Sequence, residues 1–247
     1  MTSRARDKKS TCTPKHHAKL VANSKASLKW RLTLRAMLRA SSLVILFASA
    51  GSLTWRRGWI FTVAFFLFQA VVFVVTRLKN PQLIEIRLRR VEPTYAFDRT
   101  FVLLYGLASV ALLIVAGIDG GRRLLQKSEF DWIILAGLLL YAVGTSIQAW
   151  AAATNPNLTC TVETQVHQLV TTGPYRIMRH PLYAGRIVAL AGWPLILGSP
   201  WSYIPVSVII LLFCFRAAHE DRLLRTEISA YRKYCEKTPT RLFPGAW

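Results

Sequence analysis

Charged residues are scarce in this sequence, and acidic residues are the scarcest of them. Only 18% of the 247 residues are charged, and 12 Asp and Glu stand against 32 Lys and Arg. A soluble domain usually carries about a quarter of charged residues, so an ordinary soluble domain is excluded. There are also only four cysteines, at positions 12, 160, 214 and 235, and no pair has metal-ligand spacing. They are therefore interpreted as reduced structural thiols, and no metal site is expected.

The few charges are clustered, and this leaves long uncharged runs between them. Residues 58–76 and 100–118 form runs of 19, residues 132–162 a run of 31 and residues 187–215 a run of 29. A helix needs about 20 mostly apolar residues to cross a hydrocarbon core of about 30 Å. Together with a shorter run at 40–55, these runs predict an all-α fold. The expected architecture is a polytopic integral membrane helical bundle with five to six membrane segments.

The last uncharged run, residues 187–215, is too long for one straight span. As a single helix it would extend about 44 Å. It also contains Pro194 and the sequence Gly198-Ser199-Pro200, which interrupt a helix. The sequence therefore predicts two shorter arms joined at 198–201, and these last two segments should form a helical hairpin.

Basic residues lie mainly on one predicted side of the membrane. The net charge is +20, and 27 of the 32 Lys and Arg fall in the N-terminal tail, in 77–99, in 176–186 and from 216 onward. Positive residues stay cytoplasmic during insertion, so both termini are predicted to be cytoplasmic. This distribution favours anionic membrane lipids as partners and argues against nucleic acid.

Three regions follow from this pattern. Residues 1–36 are expected to be a basic cytoplasmic tail without fixed structure, although a cleaved targeting segment would have a similar composition. Residues 37–153 should hold four N-terminal spans. Residues 154–247 should form a C-terminal core that carries the chemistry.

Two clusters of polar residues border the predicted membrane segments of this core. The first runs from His167 to Gly185 and contains Gly173-Pro174 and His180-Pro181, which force non-helical backbone. Such backbone at membrane depth persists only when it is buried in protein or lines a cavity. The alternative is an interfacial loop whose Arg and Tyr side chains touch lipid head groups. The second cluster is Arg216-Ala-Ala-His-Glu220-Asp221, in which Arg216 and Glu220 share a helix face and could form an ordinary salt bridge.

Taken together, the two clusters resemble a known family. The sequences that carry the likeness are Thr171-Thr-Gly-Pro-Tyr-Arg-Ile-Met-Arg-His-Pro-Leu-Tyr-Ala-Gly185, Gly192-Trp-Pro-Leu-Ile-Leu-Gly-Ser-Pro-Trp201, Arg216-Ala-Ala-His-Glu-Asp, Tyr231-Arg-Lys-Tyr234 and Arg241-Leu-Phe-Pro. In this order and spacing they resemble the isoprenylcysteine carboxyl methyltransferase family, membrane enzymes that use S-adenosylmethionine. The resemblance covers about residues 155–247.

This resemblance implies roles for particular residues. Arg216 would contact the carboxylate of the substrate, and His180 would lie in the catalytic centre. The residues implied to bind the cofactor are His167, Gln168, Leu169, Val170, Tyr175, His180, Pro181, Leu182, Tyr183 and Glu220. A Gln that the family has several residues before the equivalent of His167 has no clear counterpart here. The expected pocket faces the cytoplasm beside the helical hairpin.

The implied reaction is methyl transfer from S-adenosylmethionine to a carboxylate of a lipidic or prenylcysteine-like acceptor. A carboxylate is already ionised at neutral pH and needs no general base, whereas an amine acceptor would require one, with His180 or His219 as candidates. The alternatives are a phospholipid N-methyltransferase, a sterol-type membrane reductase, or a non-catalytic membrane protein that keeps the fold. Leu182-Tyr183 and Gly185-Arg186 differ from the reductase pattern. The natural acceptor and the oligomeric state cannot be read from the sequence.

Overall fold

A computed structural model of the chain describes residues 37–81, 96–122, 131–156 and 169–245, together with Trp30, Thr33 and Leu83. All regular secondary structure in these ranges is helical. The chain divides into two units, Met1–Arg39 and Ala40–Trp247. The described residues of the first unit are helical, and the account below concerns the second. Most of the tail predicted at 1–36 lies outside the described residues.

The described ranges contain seven α-helices and two 3₁₀ turns with defined bounds. The α-helices are α1 (Met37–Ala50), α2 (Arg56–Lys79), α3 (Ala96–Arg122), α4 (Asp131–Thr154), α5 (Pro181–Leu197), α6 (Tyr203–Glu227) and α7 (Ser229–Lys237). The 3₁₀ turns are Gly173–Arg176 before α5 and Pro200–Ser202 between α5 and α6.

Four of these helices, α2, α3, α4 and α6, are long and apolar enough to cross a membrane, and α1 and α5 are shorter apolar helices. Large apolar side chains point outward from the bundle, for example Leu103 at 61% and Leu139 at 63% exposure. Such a surface is stable against lipid and not against water. The prediction of an all-α integral membrane bundle is confirmed.

Helices α2 and α3 are longer than the uncharged runs that predicted them. The run 100–118 corresponds to a helix that begins at Ala96 and ends at Arg122, and the run 58–76 to Arg56–Lys79. An uncharged run marks only the part of a helix that lies in hydrocarbon, whereas the helical backbone continues into the interface. Residues 96–99 lie outside the predicted run but inside the helix, so Asp98 belongs to α3.

Glycines hold α4 and α5 together at close range. Gly144 faces Gly185, and Gly137 faces Gly192, so the contacts repeat every seven residues along an antiparallel pair. A Cβ atom added at Gly144 would lie 2.5 Å from the Gly185 carbonyl oxygen, and one added at Gly137 would lie 2.8 Å from the Gly192 carbonyl oxygen. Small residues that let backbones approach are the usual means of helix association in lipid, where no hydrophobic force acts between helices.

The predicted hairpin between the last two segments is confirmed. Helix α5 contains Pro194 and is capped by Gly198, which adopts a left-handed conformation with φ of +69° and donates its N–H to the Pro194 carbonyl. Ser199 then donates its hydroxyl to Asp119 Oδ2 of α3 at 2.8 Å. The turn is thus fixed to the end of α3, and α6 returns antiparallel to α5.

The bundle has two distinct ends. At one end, the α5–α6 turn meets Asp119 near the end of α3. At the other, the side chain of Asn80, just after α2, donates to the carbonyls of Ala152 and Asn155 at 3.1 and 3.0 Å. The start of α5 and the later part of α6 also lie at this second end, which we call the site end.

Candidate functional site

The polar segment before α5 is held in an irregular conformation by specific hydrogen bonds. Gly173 has φ of +59° at the first 3₁₀ turn, a conformation that favours glycine. The backbone N–H of Arg179 donates to the Thr240 carbonyl at 3.0 Å, and that of His180 donates to the Arg241 carbonyl at 2.9 Å. Segment 240–241 therefore supplies the acceptors that a helix or sheet would otherwise provide.

Asp221 of α6 is the polar centre of this arrangement. It is 1% exposed, and its carboxylate lies 2.8 Å from Nε of Arg179 and 3.2 Å from Nε of both Arg225 and Arg241. Tyr231 of α7 donates its hydroxyl to Asp221 Oδ1 at 2.9 Å. A single buried carboxylate thus fixes the segment before α5, helix α7 and segment 240–241 to α6.

Tyrosines of α7 complete this support. Burial raises the pKa of Tyr231 well above its ordinary value of 10, and the adjacent Asp221 carboxylate raises it further. Burial likewise raises the pKa of Tyr234. Both hydroxyls therefore stay protonated and keep donating, Tyr231 to Asp221 and Tyr234 to the Tyr175 carbonyl at 2.5 Å.

A second network, which we call the Tyr183 network, links α3, α5 and α6. Tyr183 donates its hydroxyl to Glu220 Oε2 at 2.7 Å and accepts from Nε of Arg216 at 2.9 Å. Arg216 Nη2 lies 2.9 Å from Oδ1 of Asp98, and the two side chains are 4% and 1% exposed. Among the described residues, the network thus contains two carboxylates, Asp98 and Glu220, and one guanidinium.

Aromatic rings surround the Tyr183 network. The Arg216 guanidinium lies 4.3 Å from the centre of the Phe101 ring, within cation–π range. The imidazole of His180 is parallel to the ring of Tyr183, with centroids 5.6 Å apart, and Phe213 lies 5.5 Å from Tyr183. The network therefore sits among apolar rings, where electrostatic interactions are stronger than in water.

His180 itself is buried, at 6% exposure, directly before Pro181 at the start of α5. Its Nε2 has no hydrogen-bond partner in the described part of the chain, and the nearest carboxylate oxygen, Asp221 Oδ1, is 3.8 Å away. His180 thus lies between the Asp221 centre and the Tyr183 ring, with one ring nitrogen available.

The remaining predicted site residues have varied positions. Tyr175 is buried and accepts from the Asn155 side chain at 3.3 Å, and Leu169 packs against the tyrosines of α7. Val170 and Leu182 are half-buried, and Pro181 is buried in the first turn of α5. His167 and Gln168 lie outside the described residues, as does the segment where the family's additional Gln was sought.

The sequence did not predict the roles of two acidic residues, Asp98 and Asp221. Asp98 lies just before the uncharged run 100–118, and acids are so few that one in this position could have been noted. For Asp221, the sequence offered only a doubtful second acid beside Glu220, because its partners are distant along the chain. No group of three or more His, Cys, Asp and Glu able to hold a metal occurs among the described residues.

Comparison with known proteins supports this reading of the C-terminal half. Residues 132–229, from α4 into the start of α7, match the family model described as phospholipid methyltransferase. The fold and this match thus define a multi-pass membrane protein whose residues 132–229 resemble the phospholipid methyltransferases.

Individual relatives of the chain include isoprenylcysteine O-methyltransferases. The chain is 27% identical over 123 residues to a probable protein-S-isoprenylcysteine O-methyltransferase of Oryza sativa subsp. indica, covering 47% of this chain and 64% of that protein. It is 30% identical to protein-S-isoprenylcysteine O-methyltransferase B of Arabidopsis thaliana, covering 44% and 58%. It is also 30% identical to the nickel-cobalt-cadmium resistance protein NccN of Alcaligenes xylosoxydans xylosoxydans, covering 55% and 61%. The resemblance to the isoprenylcysteine carboxyl methyltransferase family is confirmed, and each match spans less than two thirds of the relative's length.

Proposed function

We propose that the protein transfers a methyl group from S-adenosylmethionine to a carboxylate of a lipidic or prenylcysteine-like acceptor in the membrane. The observation that carries this proposal is the Tyr183 network. It is a largely buried, aromatic-lined cluster whose described residues include two carboxylates and one guanidinium, directly beside the irregular segment before α5.

The residues present fit such a cofactor. Bound S-adenosylmethionine would supply an activated methyl group on a positively charged sulfonium. The excess charge of Glu220 and Asp98 over Arg216 suits a cationic ligand, and the rings of Tyr183 and His180 suit a planar or cationic one. In addition, Nε2 of His180, which has no hydrogen bond to a described residue and lies 3.8 Å from Asp221 Oδ1, offers a buried hydrogen-bonding atom. The proposed cofactor residues are those that the resemblance implied, namely His167, Gln168, Leu169, Val170, Tyr175, His180, Pro181, Leu182, Tyr183 and Glu220.

The protein's own groups would act mainly by positioning. Glu220 would hold the cofactor through its charge, and Tyr183 would keep the Glu220 carboxylate oriented. Arg216, fixed by Asp98, would direct an acceptor carboxylate toward the methyl group, and alignment of the reacting atoms would lower the barrier. An amine acceptor would instead need a proton acceptor, for which His180 Nε2 is the candidate.

The proposal also includes an orientation of the helical bundle in the membrane. The site end carries most of the basic residues that flank the described helices, and positive residues remain cytoplasmic. The site end and both termini would therefore face the cytoplasm. Residues 154–247 would form the methyltransferase core and residues 37–153 its four supporting spans.

The decisive experiment pairs cofactor titration with methyl-transfer rates on the same purified variants. Glu220→Gln should weaken S-adenosylmethionine binding by about tenfold or more, because a buried polar contact contributes about 1–3 kcal/mol. Glu227→Gln makes the same change on an exposed turn of α6 and should leave affinity within about twofold. Arg216→Ala should leave cofactor affinity within about threefold and lower kcat/KM about a hundredfold, or about 2.7 kcal/mol.

Two results would contradict the proposal. Unchanged affinity in Glu220→Gln would remove the Tyr183 network from the cofactor site. Parallel loss of affinity and rate in Arg216→Ala would make Arg216 a structural or cofactor residue. Mass spectrometry of the methylated products would separate a carboxyl ester from a methylated amine.

A further inference from the structure

Arg186 of α5 is a second cation near the Tyr183 network, and its surroundings differ from those of Arg216. The described residues offer it one hydrogen bond, from Nη2 to the hydroxyl of Tyr105, and two aromatic rings. Its Cζ lies 6.0 Å from the ring centre of Tyr105 and 5.9 Å from that of Trp193. No carboxylate lies within salt-bridge distance of Arg186 in the described ranges.

The position of Arg186 makes this lack of a counter-charge costly. Its partner Tyr105 lies nine residues after the start of α3, about 13 Å along the helix axis. Helix α3 has 27 residues and spans about 40 Å, about 10 Å more than the hydrocarbon core. Tyr105 is therefore inside the core. Charged side chains at such depth normally pair with an acid, or they mark a ligand or ion site.

A second unsatisfied group lies beside Arg186. The indole Nε1–H of Trp193 is buried and has no hydrogen-bond partner in the described part of the chain, and the side chain is 8% exposed. Buried indole N–H groups usually find an acceptor. Arg186 and Trp193 thus present a permanent positive charge and an N–H donor, and both groups would be satisfied by one anionic oxygen-bearing ligand.

The two cationic sites also differ in net charge. Arg216 lies beside two carboxylates of the described residues, those of Asp98 and Glu220. Arg186 lies three residues after Tyr183 on the same face of α5, and no carboxylate in the described ranges compensates its positive charge. A cationic ligand and an anionic one would therefore be held side by side.

From these observations we infer that Arg186 and Trp193, with Tyr105, form a subsite for the anionic group of a lipid. The group recognised is an ionised carboxylate or phosphate on a hydrocarbon chain, because the subsite lies at the depth of the hydrocarbon core, which lipid chains occupy. The inference does not rest on the proposed function, in which the acceptor carboxylate contacts Arg216.

The test is native mass spectrometry of the full chain, which counts lipid retained on the protein. Oleate should bind the wild-type protein at least about fivefold more tightly than methyl oleate, which has the same chain without the charge. Arg186→Gln should abolish this preference, and Arg186→Lys should keep part of it, because the charge remains without the planar fork. Oleyl phosphate is the second probe. Tighter binding than oleate would identify phosphate as the natural group, and weaker binding would identify carboxylate.

Matched variants keep the test decisive. Arg176→Gln removes an exposed Arg at the same end of the bundle and should leave the preference for oleate unchanged. Trp193→Phe keeps a ring and removes the N–H, so it should weaken oleate binding about threefold even if Arg186→Gln does not fold. A preference that survives both Arg186→Gln and Trp193→Phe would overturn the inference.

The outcome is separable from that of the proposed function. S-adenosylmethionine affinity should stay within about threefold in Arg186→Gln. If the wild-type protein binds oleate selectively but does not bind S-adenosylmethionine, the proposed methyl transfer is contradicted and the inferred lipid subsite is supported. If it binds S-adenosylmethionine but shows no preference between oleate and methyl oleate, the inferred lipid subsite is contradicted and the proposed methyl transfer is unaffected.

Discussion

Replacing Asp98 tests whether the Tyr183 network depends on a residue of α3. The Asp98–Arg216 pair is almost fully buried, with a separation of 2.9 Å. Removing one partner of a buried ion pair typically costs about 3–5 kcal/mol, because the other charge is left uncompensated. Arg216 keeps its hydrogen bond to Tyr183 and its contact with Phe101, and these offset part of the loss. We therefore expect Asp98→Asn to lower the free energy of unfolding by about 2–3 kcal/mol.

A double-mutant cycle isolates the pair from other effects of each change. Asp98→Leu and Arg216→Met should each destabilise the protein, whereas the double variant should recover most of the loss, because an apolar pair of similar volume replaces both charges. The assay is equilibrium unfolding in mixed micelles with increasing denaturing detergent. Asp119→Asn, at the far end of α3, is the control. It should combine with Arg216→Met additively, to within about 0.5 kcal/mol.

The reasoning would be refuted by a coupling energy between Asp98 and Arg216 no larger than that of the control pair. In that case the contact would contribute nothing specific to stability. Asp98 would then not be needed to stabilise the site.

Two further predictions concern packing and thiol chemistry. Gly144→Leu should prevent the close approach of α4 and α5 and lower the free energy of unfolding by about 3 kcal/mol or more. The control is Gly106→Leu on α3, where an added Cβ meets nothing within 4 Å. It should change the free energy of unfolding by under about 0.5 kcal/mol in the same assay. Burial raises the pKa of the Cys235 thiol above its ordinary value of 9, so less thiolate exists at pH 8. In a variant that retains only Cys235, alkylation at pH 8 should be slower than that of a small free thiol. Its rate should continue to increase above pH 9. Equal rates for the protein and the small thiol at pH 8 would contradict the burial of this side chain.

The fold could be predicted largely because lipid imposes a strong rule on sequence. A segment in hydrocarbon must satisfy its own backbone, so an uncharged run of sufficient length specifies a helix. Pro194 and Gly198 likewise located the hairpin turn by their local conformational preferences. The ends of α2 and α3 were misjudged, because the charges that end a run do not end a helix.

The site was less accessible to sequence reasoning, since it depends on contacts between distant residues. Tyr183 and Glu220 could be selected from a family pattern, and the hydrogen bond between them agrees with that selection. Their roles in binding remain predictions. Asp98 lies far from both in sequence, and no local pattern relates it to Arg216. The Arg186 environment was equally hidden, because an arginine in an apolar stretch does not reveal whether an acid faces it from another helix.

The adjacency of Glu220 and Asp221 has a mechanical consequence. Neighbouring helical residues point about 100° apart, so α6 sends one carboxylate to Tyr183 and the next to three arginines and a tyrosine. Any rotation of α6 that moved Glu220 would also pull Asp221 away from all of these partners. Helix α6 is therefore held against turning about its axis. A ligand that engages Glu220 meets a carboxylate already fixed in direction, and the entropy of orienting it has been lost at folding and not at binding.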